Sequence, residues 1–393
     1  MSRARGSRRV ALAALLVAST LTVMAGAILS PVLELIRRDL ALSDTAAGLV
    51  LTVHGFSLAI AGPLVGRAID RRSVRPTLVW GLLLYGISGG AGLVTNSYTL
   101  LLAGRLVFGI GTAAVFAATT VALFELYRGS GRDRVMGWRT SAISLGGLAW
   151  PLVGGALGTL SWHAPFAVYL LGVPLALACA AALPATPAET ATPERPDGGL
   201  LALARRRPDL LGFYATQLIS AVLLYAVLVF LPLRLAELAV TNPLQVALCA
   251  AALSAAMTAV GFGYARLRAR LGDRGLLTLS FSIWLATFAA LSIVQHAALV
   301  AAGAVLFGVG MGIAVPALTV LVAEAAPAGL RGRATSLSAS ATFLGQATSP
   351  LLLGPIVSAT SITTGFAVAA ALAGTTLLTA LAAGARHRSE VTS

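Results

Sequence analysis

The sequence contains no lysine, so its 28 basic residues are all arginines, and it has two cysteines, four histidines and only 14 acidic residues in 393. Each shortage excludes something. Cys179 and Cys249 lie inside apolar runs without partner spacing, so no disulfide framework and no metal site is expected. His54, His163, His296 and His387 are scattered and embedded acids are few. The clustered groups that a multispan membrane enzyme needs are therefore missing, and neither enzymatic activity nor a cofactor is expected. The chain lacks a G-x4-G-K-S/T segment, which argues against a primary pump driven by nucleotide hydrolysis. The alternating ten-residue segments of a membrane β-barrel are absent too.

What the chain does have is apolar length. It is 58% hydrophobic and 11% charged, with a mean hydropathy of +0.89. A soluble protein of this size cannot hide that much apolar surface, so the chain reads as an all-α integral membrane protein. Runs of about 20 apolar residues, long enough to cross the hydrocarbon as helix, follow one another. They place twelve spans at 10–36, 44–66, 77–95, 99–127, 136–160, 164–183, 209–233, 243–265, 275–295, 298–325, 334–358 and 365–385. The net charge of +14 suggests nucleic acid at first sight. With the N-terminus inside, however, 24 of the 28 arginines fall in cytoplasmic segments, only Arg37, Arg38 and Arg234 lie outside, and Arg105 lies within a span. This is the positive-inside rule, so the charge reports topology and no nucleic-acid partner is expected. The arginine-rich start and the small residues near Ala25 imitate a signal peptide, but cleavage there would invert the arginine pattern. The segment is therefore read as an uncleaved first span. The expected location is the plasma membrane, multi-pass, with both termini cytoplasmic.

The spans form two sets of six. Residues 184–208 hold five prolines, three acids and four arginines, and read as a flexible cytoplasmic linker between domains 1–183 and 209–393. An ungapped offset of 199 residues superimposes Gly104 on Gly303, Phe108 on Phe307, Gly109 on Gly308 and Gly111 on Gly310. It also matches Glu125 with Glu324, Pro151 with Pro350, Gly155 with Gly354, Arg71 with Arg270 and Arg75 with Arg274. Chance similarity in such a composition would match alanine and leucine. Matches on glycine, proline, glutamate and arginine indicate a duplication. Parallel six-helix repeats with a substrate site between them are one of the known transporter architectures.

The segment from Gly66 to Arg75 puts one acid and four arginines into the link between spans two and three. Here the chain resembles the major facilitator superfamily, whose loop signature G-x-x-x-D-R/K-x-G-R/K-R/K is matched at Gly66, Asp70, Arg71 and Arg75 and departs at Ser73. A narrower signature of proton-coupled drug antiporters, G-x8-G-x3-G-P-x2-G-G in the fifth span, is matched at Gly137, Gly146, Pro151, Gly154 and Gly155, with Trp150 in place of one glycine. Arg105 in the fourth span also resembles an arginine that drug-transporting relatives associate with proton coupling.

The resemblance implies that Asp70 faces the start of the eleventh span near Thr335, held by the positive end of that helix as a cytoplasmic gate. Ala269 stands at the duplicate position, which makes Asp70 a candidate for a one-sided latch. Gly66 is expected to allow close helix approach. Arg71 and Arg75 lie on the side of Glu125 and pair with it, or else serve topology alone. Arg105 is not repeated either, since its duplicate is Ala304. It either faces a polar cavity or snorkels to the headgroups. His54 titrates in a useful range and is a coupling candidate or a hydrogen-bonded packing residue. Glu34 is a coupling candidate or a mouth residue paired with Arg37 and Arg38. Pro151 and the glycines around it are expected to bend and tighten the fifth span, while Trp150 either plugs that seam or loosens it. Gln217, Tyr225, Trp284 and Gln346 are the substrate-cavity candidates. Few polar groups in a largely apolar cavity suit lipophilic compounds better than sugars.

The reading that follows is a monomeric secondary transporter with a small-molecule substrate and protons as coupling ion, exporting drug-like compounds through the lipid bilayer. An importer or facilitator of a metabolite is the alternative.

Overall fold

The computed structural model describes residues 2–184, 208–326 and 331–392. The expected linker at 184–208 lies almost wholly outside the described residues. Among those residues the secondary structure is helical throughout. The helices are α1 (Ser2–Ala27), α2 (Leu33–Asp39), α3 (Asp44–Arg72), α4 (Val74–Gly90), α5 (Tyr98–Leu126), α6 (Ser130–Gly158), α7 (Gly172–Ala182), α8 (Pro208–Glu237), α9 (Pro243–Leu291), α10 (Ala297–Ala325), α11 (Arg331–Ala359) and α12 (Ile362–Thr392). A 3-10 segment, Ala164–Leu171, leads into α7.

The twelve expected spans fall on helical segments, with three adjustments: the first, 10–36, breaks after Ala27 into turn residues, the 3-10 segment Ser30–Val32 and α2. Spans eight and nine run together as α9, interrupted only at Gly272, whose φ of 64° and ψ of 174° are not helical. Among the described residues ten segments are apolar and long enough to cross a membrane, and α11 is not one of them because serine, threonine, glycine and proline dilute its hydropathy. Large apolar side chains such as Trp80 (71% exposed) and Phe262 (87% exposed) face outward, as contact with lipid requires. The chain is a multi-pass membrane protein.

The described residues separate into two compact units. One gathers residues up to Leu42, those from Leu49 to the break near 184, and Asn242–Leu248. The other gathers Ser43–Gly48, residues 208 to Thr241, and those from Cys249 onward. The duplication is visible inside each. In the first unit a Cβ on Gly109 would collide with the His54 carbonyl and Ser57 Oγ. In the second a Cβ on Gly308 would collide with the Leu253 carbonyl. Residues 253 and 308 are the 199-residue images of 54 and 109, so both units use a bare Cα to press the same pair of helices together.

The link between α3 and α4 explains the departure from the loop signature. Ser73 has φ 75° and ψ 165°, a region that is essentially glycine-only, and its duplicate Gly272 adopts nearly the same angles. The turn demands a glycine conformation, and the first repeat meets it with a strained serine. At Gly66 a Cβ would meet no atom of the described residues within 4 Å, so the close approach expected there is not among their contacts.

Ser73→Gly should therefore raise the thermal stability of the purified protein, releasing about 1–3 kcal/mol of backbone strain. Gly272→Ser should lower it. Scanning fluorimetry in detergent reads both, and a Ser73→Gly protein no more stable than the parent contradicts the assignment.

Candidate functional site

The first unit holds a charged group in its interior. Arg105, on α5, is 1% exposed. Its Nε donates to the Val50 carbonyl at 3.1 Å, Nη1 to Tyr169 Oη at 3.2 Å, and Nη2 both to the Ala25 carbonyl at 2.5 Å and to His54 Nδ1 at 3.1 Å. The guanidinium carbon sits 4.5 Å above the Phe108 ring and 5.6 Å from that of Tyr169.

Local sequence explains why these groups meet. Ser97 caps the start of α5 by accepting from the Leu100 amide, which fixes where the helix begins. Arg105 and Gly109 are one turn apart and share a face. The bare Cα at Gly109 lets α5 close on α3 beside His54, which brings the His54 ring and the Val50 carbonyl within reach of Arg105. Gly89 does the same on the other side, where a Cβ would lie 2.7 Å from Tyr169 Cβ and 2.9 Å from the Phe108 ring. Ala25 lies in the last turn of α1, whose carbonyls have no partner within the helix. Its oxygen accepts from Arg105 and, at 2.9 Å, from Tyr169 Oη. The negative end of the α1 dipole thus meets the guanidinium. Tyr85 Oη donates to the Leu21 carbonyl one turn earlier at 2.7 Å.

The chemistry of this cluster follows from its donors. A guanidinium only donates, so in this contact His54 Nδ1 takes the acceptor role, which a neutral ring protonated at Nε2 supplies. No salt bridge to Arg105 occurs among the described residues. Carbonyls, a phenol, an aromatic face and a neutral imidazole hold the charge, and the snorkelling alternative does not apply. The 199-residue images of Arg105, His54, Tyr85 and Phe108 are Ala304, Leu253, Trp284 and Phe307. The second unit therefore fills the same place with apolar groups. Trp284 stacks on Phe307 with centroids 5.6 Å apart, and Phe288 lies 5.5 Å from Phe307.

The remaining candidates are distributed more widely. Glu34 accepts from Arg37 Nε at 2.7 Å and from Arg38 Nε at 2.5 Å, so it is paired with both arginines. Asp70 and Arg71 are exposed at the end of α3, and neither has an ion pair among the described residues. Arg75 Nη2 donates to the Ala180 carbonyl in the last turn of α7. No ion pair joins Arg71 or Arg75 to Glu125 among the described residues. The acid of the second link is Asp273, which binds Arg268 Nε at 2.6 Å, while Arg268 Nη2 also meets Glu324 at 3.0 Å.

Along α6, Trp150 Nε1 donates to the Thr20 carbonyl at 3.1 Å, and a Cβ on Gly146 would lie 3.0 Å from Thr20 Cβ. Gly154 is pressed on the Ile28 backbone, and Gly155 lies where a Cβ would be 2.7 Å from the Pro243 carbonyl oxygen. Trp150 thus ties α6 to α1 and closes that seam. Pro151 lies inside α6, and Gly137 has nothing within 4 Å.

Among the cavity candidates, Gln217 Nε2 donates to Thr342 Oγ1 at 3.0 Å, and its Oε1 is buried without a partner among the described residues. Gln346 is buried and Tyr225 half-buried. Trp284, expected at a cavity wall, has no exposed surface and is packed between Phe281 and Phe307. On α3 and α5, next to the Arg105 cluster, an apolar groove of about 430 Å³ is lined by Phe56, Ile60, Leu64, Leu106 and Ile110. Sequence reasoning missed Tyr169 and Tyr85. Their signal was a tyrosine inside an otherwise apolar span, a phenol that has to find a partner when buried.

Tyr169→Phe removes one acceptor from Arg105 and one donor from Ala25. The expected cost is about 1–3 kcal/mol, seen as a lower unfolding temperature. Gly109→Leu should cost more, because it drives α3 from α5. A Tyr169→Phe protein with unchanged stability contradicts this account of the cluster.

Comparison with known proteins gives three kinds of likeness. A family model described as Major Facilitator Superfamily matches residues 15–337 and 213–393. The class C tetracycline resistance protein of Escherichia coli is 33% identical over 165 residues, 41% of each chain. Multidrug resistance protein 1 of Bacillus subtilis is 28% identical over 136 residues, 35% of each chain. The alignments thus span well under half the length of these relatives. A crystal structure of a bacterial homologue of the human lysosomal transporter Spinster, inward-facing and unoccupied, superimposes with a TM-score of 0.76 at 17% identity, covering 96% of both chains. At that identity the likeness concerns the fold.

Proposed function

The chain belongs to the Major Facilitator Superfamily, and we propose that within it the protein is a secondary transporter working by alternating access, exporting small organic compounds in exchange for protons. The observation that carries this reading is the buried contact between Arg105 and His54 at 3.1 Å. The pair converts a proton into a displacement. A proton arriving at Nδ1 removes the acceptor and sets two cations side by side in a low-dielectric interior, so Arg105 must leave the imidazole. Among the described residues the other charged or titratable groups at this site are Tyr85 and Tyr169, and no carboxylate lies there to absorb the extra charge.

The remaining roles are proposed around that event. Residues 1–183 and 209–393 act as the two moving halves, joined by 184–208. Asp70 is the gate residue at the cytoplasmic end of the first half, with Gly66, Arg71, Arg75 and Glu125 as its setting. The α6 residues Gly146, Pro151, Gly154 and Gly155 keep the seam beside α1 tight against leakage. The arginine distribution supports a plasma-membrane protein with both termini cytoplasmic. The protein acts as a monomer in a lipid bilayer.

Purified protein in liposomes loaded with a pH-sensitive dye tests this. Adding amphipathic compounds should drive proton movement, and transport that ignores an imposed pH gradient contradicts antiport. His54→Gln, which keeps an acceptor for Arg105 but carries no proton, should exchange compounds while moving at least ten-fold fewer protons per cycle. Asp70→Asn should insert normally and transport poorly in either direction.

A further inference from the structure

The geometry points to Arg139 as the binding group for an oxyanion, the acidic end of an amphipathic ligand. The inference deepens the transporter reading above and rests on it for the ligand's purpose. Arg139 lies on α6, nine residues and about 13–14 Å from the helix start. It is 9% exposed, and its Nε and Nη2 are buried with no hydrogen-bond partner among the described residues. Among the described residues, the contact that addresses its charge is the Phe116 ring of α5, 5.8 Å from the guanidinium carbon. A guanidinium cannot give up its proton to escape burial. Left unpaired, it carries a desolvation cost that an aromatic face offsets only in part.

Among the described residues no carboxylate closes this account. α6 is packed against α1, α5, the 3-10 segments Ser30–Val32 and Ala164–Leu171, and, at Gly155, the Pro243 end of α9, whose sole acid is the distant Asp273 held by Arg268. α1 and both 3-10 segments contain no acid, and the sole acid of α5 is Glu125, about 13–14 Å along that helix from Phe116. Arg139 also differs from the arginines that set topology. Arg132 and Arg134 are matched by Arg331 and Arg333, whereas the image of Arg139 is Ser338. The first repeat thus carries a buried cation that scaffold and orientation do not require.

Two free N–H groups in a planar fork match the two oxygens of a carboxylate or of a phosphate ester. The neighbouring phenyl ring adds an apolar platform. The oxyanion comes either from a transported solute or from an anionic lipid headgroup, and one experiment separates the two.

Full-length protein and the variants Arg139→Gln and Arg139→Lys are placed in nanodiscs of phosphatidylcholine, with or without phosphatidylglycerol. Unfolding temperature is followed while cyclohexanecarboxylate, or the neutral cyclohexanecarboxamide, is added. The carboxylate should stabilise the parent, bind Arg139→Gln at least ten-fold more weakly and Arg139→Lys with intermediate strength. The carboxamide should not distinguish the three proteins. If phosphatidylglycerol alone stabilises the parent and not Arg139→Gln, the oxyanion is the lipid's and the site stands. Without any anion, Arg139→Gln should unfold at the same or a higher temperature, because it removes an unpaired buried charge. The inference is overturned if neither anion distinguishes parent from Arg139→Gln, or if Arg139→Gln is clearly less stable without ligand. The readout needs no gradient, so it stands or falls separately from proton-coupled transport.

Discussion

The architecture around α1, α3 and α5 in the first unit turns on the problem of keeping the Arg105 guanidinium inside an apolar helix bundle without a counter-ion. An arginine at the centre of a membrane helix costs about 2.5–3.5 kcal/mol, and Arg105, seven residues into α5, faces a lesser cost of the same kind. Hydrogen bonds to a charged group return about 1.5–3 kcal/mol each, and four acceptors are in place. Those acceptors impose the local architecture. α1 must end near Ala27 so that the Ala25 carbonyl is free. α3 and α5 must touch at Gly109, and Tyr169 must reach back from the 3-10 segment before α7. The charge is satisfied by dipoles instead of a carboxylate, so it is sensitive to any change at the one acceptor that can take up a proton.

The duplication makes this arrangement interpretable. Gly109 and Gly308 fill the same packing role against His54 and Leu253. The close approach is common scaffold, while the polar contents are added in one unit. In the other, Ala304, Trp284 and Phe307 fill the space with aromatic packing. The short links behave likewise. Ser73 and Gly272 share an unusual backbone geometry, but the acids of the two links differ in position and environment: Asp70 is exposed, whereas Asp273 is held by Arg268. Shared geometry with unshared charge is what one scaffold adapted to two tasks would show.

Much of this was legible in the sequence, and the exceptions have physical causes. Span positions follow from hydrophobic runs, and the repeat follows from glycines and prolines whose spacing composition does not imitate. Glu34 beside Arg37 and Arg38 was readable because pairs three and four apart on a helix are neighbours. The meeting of His54 with Arg105 was not, because it depends on the rotation of two helices 51 residues apart in the chain. Gly66 and Trp284 came out differently for the same reason. A glycine's lack of a side chain matters only where another helix arrives, and a tryptophan's polar edge says nothing about which way its helix faces. Arg139 resembled its topological neighbours until burial set it apart.

The neutral state of His54 is the point on which the account is most exposed. Selective nitrogen-15 labelling of histidine, with a His54→Gln protein to assign the signal, reports the two ring nitrogens directly by NMR in lipid at neutral pH. The account predicts an uncharged ring protonated at Nε2 with an acceptor-type Nδ1, and loss of that hydrogen-bonded signature in Arg105→Lys. A His54 ring protonated at both nitrogens, or at Nδ1 alone, contradicts it.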